Sequence, residues 1–142
     1  MTPRCFPEEP GFEHETERAV WDALREALPD DAALFANLPL TDRKGDCEAD
    51  IVVALPGAGI AVVEVKGGSV SWDGLTWRQT GGGARGKEID PVRQARRGKF
   101  ALRDYLDRDP RWRRRRVRFG HLVAFPASRV PAEVSPTDCP RW

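Results

Sequence analysis

The chain is poor in the residues that tie small proteins together. Its 142 residues hold three cysteines, Cys5, Cys47 and Cys139, odd in number, far apart and without a CxxC pair. Its two histidines, His14 and His121, lie near none of them in sequence. A disulfide framework and a zinc site are thereby disfavoured. The opening, Met-Thr-Pro-Arg-Cys-Phe-Pro-Glu-Glu-Pro, has no apolar signal core, and no apolar run approaches the length that spans a bilayer. The expected compartment is the cytoplasm, with no membrane partner. No internal repeat occurs. Net charge is almost absent at +1, yet residues 1–71 carry 6 Lys/Arg against 14 Asp/Glu (−8) and residues 72–142 carry 17 against 8 (+9). Such a split fits a metal site flanked by a polyanion-binding surface, or a solvated surface whose signs happen to segregate.

What is present suits one soluble globular domain with a real core: 40% hydrophobic and 32% charged residues. The most informative stretch runs from Asp50 to Lys66. Two β-branched apolar runs, residues 51–55 and 60–65, flank Pro56-Gly57-Ala58-Gly59 and read as a buried hairpin. A strand buried on both faces should be almost continuously apolar. Here a carboxylate opens the first strand, and Glu64 and Lys66 close the second. Side chains alternate faces, so Glu64 and Lys66 share one and Val65 takes the other. If the loop is residues 56–58, Leu55 pairs with Gly59 and Asp50 lies opposite Glu64; a slip of one residue would separate them. Unpartnered buried charges are expensive. A divalent cation held by Asp50 and Glu64 would give the cluster a purpose, since Mg²⁺ takes one or two carboxylates plus water and phosphate oxygens. Lys66 would then orient or deprotonate an attacking water. A salt bridge at the rim of an ordinary sheet explains the same residues.

The remaining elements follow from pattern. Residues 1–12, with three prolines, read as an irregular arm. Residues 16–28 read as a helix with Thr16 as N-cap and Val20, Trp21, Leu24 and Leu28 on its apolar stripe. Glu17 lies on that stripe, either serving the helix dipole or reaching the carboxylate cluster. Residues 33–40 are a weakly patterned strand and 41–48 a polar loop. Residues 70–72 and 75–77 flank Asp73-Gly74, a hairpin signal, with Trp72 and Trp77 expected in a core rather than stacked on bases. Gly81-Gly-Gly-Ala-Arg-Gly-Lys87 imitates a phosphate loop, but Glu88 stands where Ser or Thr should bind Mg²⁺, so residues 80–88 read as a flexible basic loop. Asp90 and Pro91 open a second helix reaching about residue 106. It is basic through Arg96, Arg97, Lys99 and Arg103, with Gln94 in its first turn. Residues 111–118 contain six arginines, among them Arg113, Arg114, Arg115 and Arg116, and read as a phosphate-contact patch or a solvated loop before a strand at 117–125. Residues 128–142 form a Pro- and Ser-rich tail, expected to be the start of a longer chain.

The order of helix, three strands, helix and strand, with Glu17-Arg-Ala-Val20, Ala49-Asp50-Ile-Val-Val, Val63-Glu64-Val-Lys66-Gly, Gly74…Trp77, Asp90-Pro91-Val-Arg-Gln94 and Val123-Ala-Phe-Pro126, resembles the PD-(D/E)XK nuclease superfamily. More closely, over about residues 13–127, it resembles the NERD (nuclease-related) domain. Thr16 stands where that family usually has Gly before the helix Glu, and Asp90 where it usually has Asn before the Pro; neither removes a presumed catalytic group. The resemblance implies an α/β, restriction-endonuclease-like core, a mixed central sheet flanked by helices. It implies Mg²⁺ (or Mn²⁺) held by Asp50, Glu64 and the Val65 carbonyl, with Lys66 acting on water and Glu17 and Gln94 completing the site. It implies a nucleic-acid partner, DNA by preference, gripped by the basic half, and a fused helicase-like motor. A binding module with a weak or inactive site, serving such a motor, is the alternative function.

Overall fold

The computed structural model describes residues 2–81, 84–112, 116–130 and 134. Among them the chain forms, in order, β1 (Arg4–Phe6), α1 (Glu15–Ala27), β2 (Ala33–Asp42), β3 (Gly45–Leu55), β4 (Gly59–Val65), β5 (Ser69–Trp72), β6 (Trp77–Gly81), β7 (Ala84–Ile89), α2 (Pro91–Asp107) and β8 (Phe119–Ala124). A five-stranded mixed sheet runs β1-β2-β3-β4-β8, and β5-β6-β7 make a smaller antiparallel sheet. This is the expected α/β, restriction-endonuclease-like architecture.

Each helix covers one face of the large sheet. The α1 stripe of Val20, Trp21, Leu24 and Leu28 packs on Leu34, Ile51, Val53, Val63 and Val65. On the other face Ala101, Leu102 and Leu106 of α2 pack on Val52 and Val62. The strand β4 pairs with β8 in parallel, so the chain must return between them, and α2 lies on that return path. Its first turn therefore sits at the end where β4 finishes, and its last turn at the end where β4 begins. Both ends of β4 are tied to β8 or to its approach: Ile60 N–H donates to the Arg118 carbonyl at 2.8 Å, and Lys66 N–H donates to the Ala124 carbonyl at 3.0 Å.

The sheet breaks strict alternation at one place. Leu34 and Ala36 of β2 face α1, yet Leu38 and Leu40, of the same parity, face α2. On β3, Ile51 and Val53 face α1, while Cys47 and Ala49 face α2. Both strands change faces between the pairs Ala36–Ile51 and Leu38–Ala49, the interval that holds Asn37 and Asp50. Asn37 takes a φ of 50° there, a left-handed conformation that Asn tolerates better than most residues, and its side-chain amide donates to the Gly11 carbonyl at 2.9 Å.

Several local expectations are corrected. The supposed loop 41–48 is the end of the β2–β3 hairpin, with Gly45 opposite Asp42. Its acids stay outside while Leu40, Cys47 and Ala49 join the α2 core, and Arg97 of α2 clamps the turn through Asp42 at 2.8 and 3.0 Å. In the arm, residues 4–6 pair in parallel with β2, and Phe6 stacks on Phe35 at 5.0 Å. Thr16 is inside α1; His14 occupies the N-cap position without a side-chain cap. Residues 84–88 of the supposed flexible loop, with Ile89, are instead the strand β7, held by its ladder to β6. The β5–β6 connection is longer than two residues, though Trp72 and Trp77 do pair. As expected, these tryptophans pack in a core, 5.0 Å apart, with Trp77 stacked on Phe125 at 4.9 Å. Asp90 caps α2 as expected, accepting from Arg93 N–H at 3.2 Å. Among the described residues no helix is long and apolar enough to cross a membrane.

Candidate active site

The hairpin register is the one the loop length implied: Leu55 pairs with Gly59, and the ladder runs to Ile51–Val63. One step further, Asp50 stands across from Glu64. There the ladder stops, because β3 changes faces, and the Asp50 carboxylate replaces the missing strand partner. Its Oδ2 accepts the Val65 N–H at 2.9 Å. In a strand the N–H and carbonyl of one residue point to the same edge, so the Val65 carbonyl lies on the Asp50 side as well. The change of faces that ends the ladder thus brings a carboxylate and a main-chain carbonyl together.

Glu64 follows the core residue Val62 on the same face and is only 7% exposed. Lys66 follows it, and its Nζ lies 3.2 Å from Glu64 Oε1. Burial pushes the Glu64 carboxyl up to about 7, the Asp50 charge pushes the same way, and Lys66 opposes both. Asp50 is also raised by burial, against the pull of the Val65 N–H and Lys66, and it shares a hydrogen bond with Glu64. Without a cation, the pair therefore keeps a proton near neutral pH. Glu17 of α1 faces the same cleft as the pair, as the stripe of α1 implied, and its carboxyl is raised by burial and then by Asp50. Asp50, Glu64, Lys66 and Glu17 line one open cleft of about 760 Å³. Gln94 lines the adjoining cleft, which shares Lys66.

Two residues of this cleft were not singled out in the sequence. Gln79 of β6 donates to the Gly67 carbonyl at 2.7 Å, fixing the small sheet against the turn that follows Lys66. Lys87 of β7 lines both clefts. Its only sequence signal was its place in the false phosphate loop. A divalent cation fits the donor chemistry: a buried and a half-buried carboxylate that a proton now reconciles, and a carbonyl on the same edge. Among the described residues no three His, Cys, Asp or Glu side chains are grouped to hold a metal, so water and phosphate oxygens would complete the shell.

The basic residues are dispersed. Arg97 is committed to Asp42 and also donates to the Gly45 carbonyl at 3.3 Å. The Arg96 guanidinium lies 5.8 Å, and the Lys99 ammonium 4.7 Å, from the Phe100 ring centroid on the outer side of α2. Arg113, Arg114 and Arg115 lie outside the described residues. Arg116 lines a cleft with Lys99, Arg103 and Arg118 at the opposite end of the sheet. The length of β4 puts that end about 20 Å from the carboxylates.

A mixed sheet between two helices, with Asp50 on one strand and Glu64-Val65-Lys66 at the end of the next, defines the class: a restriction-endonuclease-like, PD-(D/E)XK-type fold, nuclease-like in architecture. Within that class the chain belongs to the nuclease-related domain family, NERD, whose model matches residues 12–126. No curated protein and no solved structure matches the chain.

Proposed function

We propose that this domain hydrolyses phosphodiester bonds of DNA with the help of Mg²⁺ or Mn²⁺, as the N-terminal part of a larger, helicase-type DNA-processing protein. The observation that carries the reading is the pair of half-buried Asp50 and buried Glu64, with the Lys66 ammonium 3.2 Å from Glu64, on the wall of an open cleft. Asp50, Glu64 and the Val65 carbonyl would hold the cation, which supplies charge stabilisation to the phosphate and lowers the pKa of a bound water. Lys66 orients the attacking water and offsets negative charge on the phosphate as the new P–O bond forms and the old one breaks. Glu17, held beside Asp50, accepts a proton or fixes a water. Gln94 and Lys87 hold phosphate oxygens at the adjoining wall.

Supercoiled plasmid and linear DNA, incubated with and without Mg²⁺ or Mn²⁺ beside an Asp50→Ala control, test this. Metal-dependent cleavage by wild type and none by the variant is expected. The second reading, a weak or inactive module that positions nucleic acid for a fused motor, is favoured by one observation: among the described residues no three His, Cys, Asp or Glu side chains are grouped so as to hold a metal ion by themselves. DNA binding without cleavage at any metal concentration would select it.

A further inference from the structure

Three of the described arginines are answered by carboxylates: Arg18 by Asp22, Arg97 by Asp42, and Arg111 by Asp109. At the far end of the sheet the pattern changes. Lys99 and Arg103 of α2 and Arg116 and Arg118 on the approach to β8 converge on a cleft of about 490 Å³. Among the described residues none of these four is in an ion pair. Asp107 is the one acid on the cleft wall, leaving an excess of three positive charges. The floor is aromatic: half-buried Trp112 meets Phe119 edge-on at 6.2 Å. Four cations held together without counter-charges repel one another, and a polyanion relieves that repulsion.

We infer that this cleft is a second nucleic-acid subsite, separate from the carboxylate cluster, and that it takes single-stranded polynucleotide with a base against Trp112. The inference rests on the nucleic-acid reading above but not on cleavage. The aromatic floor selects the ligand. Base faces are available to an indole only when unpaired, and a cleft this size admits about one nucleotide, whereas a duplex would meet only its rim. On α2, Arg93, Arg96, Lys99 and Arg103 fall at helical spacing, so they form one stripe about 15 Å long. Arg93 lines the cleft beside Lys66, and Lys99 and Arg103 line the far cleft. A single strand seated at Trp112 can therefore follow α2 toward the carboxylates.

The test is fluorescence anisotropy of a labelled oligothymidylate, and of a duplex of equal length, with the full chain in EDTA, where cleavage plays no part. Single strand should bind at least roughly tenfold tighter than duplex if stacking contributes as proposed. The double variant Arg103→Ala/Arg118→Ala, both exposed positions, should lower the salt slope by about 1.4, at roughly 0.7 per lost phosphate contact. Trp112→Leu should weaken binding by roughly 5- to 100-fold with the slope unchanged. Equal affinity for duplex, an unchanged slope in the double variant, or displacement by polyglutamate as effective as by oligonucleotide would each overturn the inference. Binding as expected without any plasmid cleavage would refute the enzyme reading and leave this one standing; cleavage with no oligothymidylate binding would do the reverse.

Discussion

The two ends of β4 carry opposite charge under opposite conditions. Where the strand finishes, Glu64 is 7% exposed, neighbours a second carboxylate, and titrates at about 7. Where it begins, Arg116 and Arg118 stand exposed beside a cleft with Asp107 as the one acid on its wall. One end concentrates unfavourable charge by burial, which the fold's apolar packing must offset. The other tolerates charge because water screens it. Buried charge of this kind answers a cation or a proton; screened charge answers a long polyanion. The contrast separates chemistry from grip, and each end can be broken without touching the other.

Removing Lys66 or Asp50 should have the largest effect. Lys66→Ala leaves both carboxylates, so divalent-metal binding should survive while hydrolysis falls by roughly 10²- to 10⁴-fold, the range for a group acting on the reacting water. Asp50→Ala should reduce metal affinity and hydrolysis together. It also removes half of a like-charge pair but leaves the Val65 N–H without its acceptor; the two effects oppose, so the metal-free variant should melt close to wild type, whereas wild type gains stability as metal is titrated. Calorimetric metal titration of all three proteins checks this. A flat wild-type titration, with and without DNA, would reduce the cluster to a rim salt bridge.

The parts of this end that could be read beforehand depend on short-range rules. Period two across a three-residue loop put Asp50 opposite Glu64, and helical period put Glu17 over them. What could not be read was the change of faces at Asn37 and Asp50, because a single left-handed residue leaves no trace in an apolar pattern. It is this change that turns Asp50 toward Val65 N–H and lets residues 41–49 pair on as a hairpin instead of looping. β1 and β7 were hidden for a related reason: a three-residue strand and a short, largely polar one draw their stability from the ladders they join, not from their own composition. The arginine tract was legible as charge, but its distance from the carboxylates was not, since charge does not say which end of a strand it will join.

A pH titration sharpens the buried end at intermediate scale. Glu64 ordinarily titrates at 4.5 and in the fold at about 7. The folded protein holds that proton more tightly than the unfolded chain, so the contribution is complete below 4.5 and disappears as pH rises through about 7. Asp42 and Asp109, both held near 2 by arginines, stay ionised throughout this window and add no slope. Metal-free wild type should thus be more stable at about pH 5.5 than at about pH 8, by on the order of 2 kcal/mol. Glu64→Gln should flatten the dependence. Saturating Mg²⁺ should reverse it, because the cation requires ionised carboxylates. A slope that persists in Glu64→Gln belongs to some other group.

The smallest effect is expected midway, at Gly98, where α2 packs directly on the sheet. A Cβ there would lie 3.2 Å from Val62 Cγ1 and 3.9 Å from Ala49 Cβ. Alanine gains about 0.8–1 kcal/mol over glycine in a helix interior. Against this, Val62 is 1% exposed and packed between the sheet and α2, so relieving a 3.2 Å contact means moving the helix outward by a few tenths of an ångström. Overpacking of this kind costs roughly 1–3 kcal/mol, so the helix-propensity gain offsets part of it and Gly98→Ala should be destabilised by about 0–2 kcal/mol. The functional consequence should exceed the thermal one. α2 is a single rigid element carrying Gln94 toward Lys66 at one end and Lys99 and Arg103 toward Phe119 at the other. Lifting its middle should loosen both ends, lowering cleavage and oligothymidylate binding a few-fold each while leaving the Glu64 pH dependence, which β3 and β4 determine, in place. A variant stabilised by the full helix-propensity gain, with both activities unchanged, would show that Val62 yields and that the close helix–sheet contact does not hold the two ends in position.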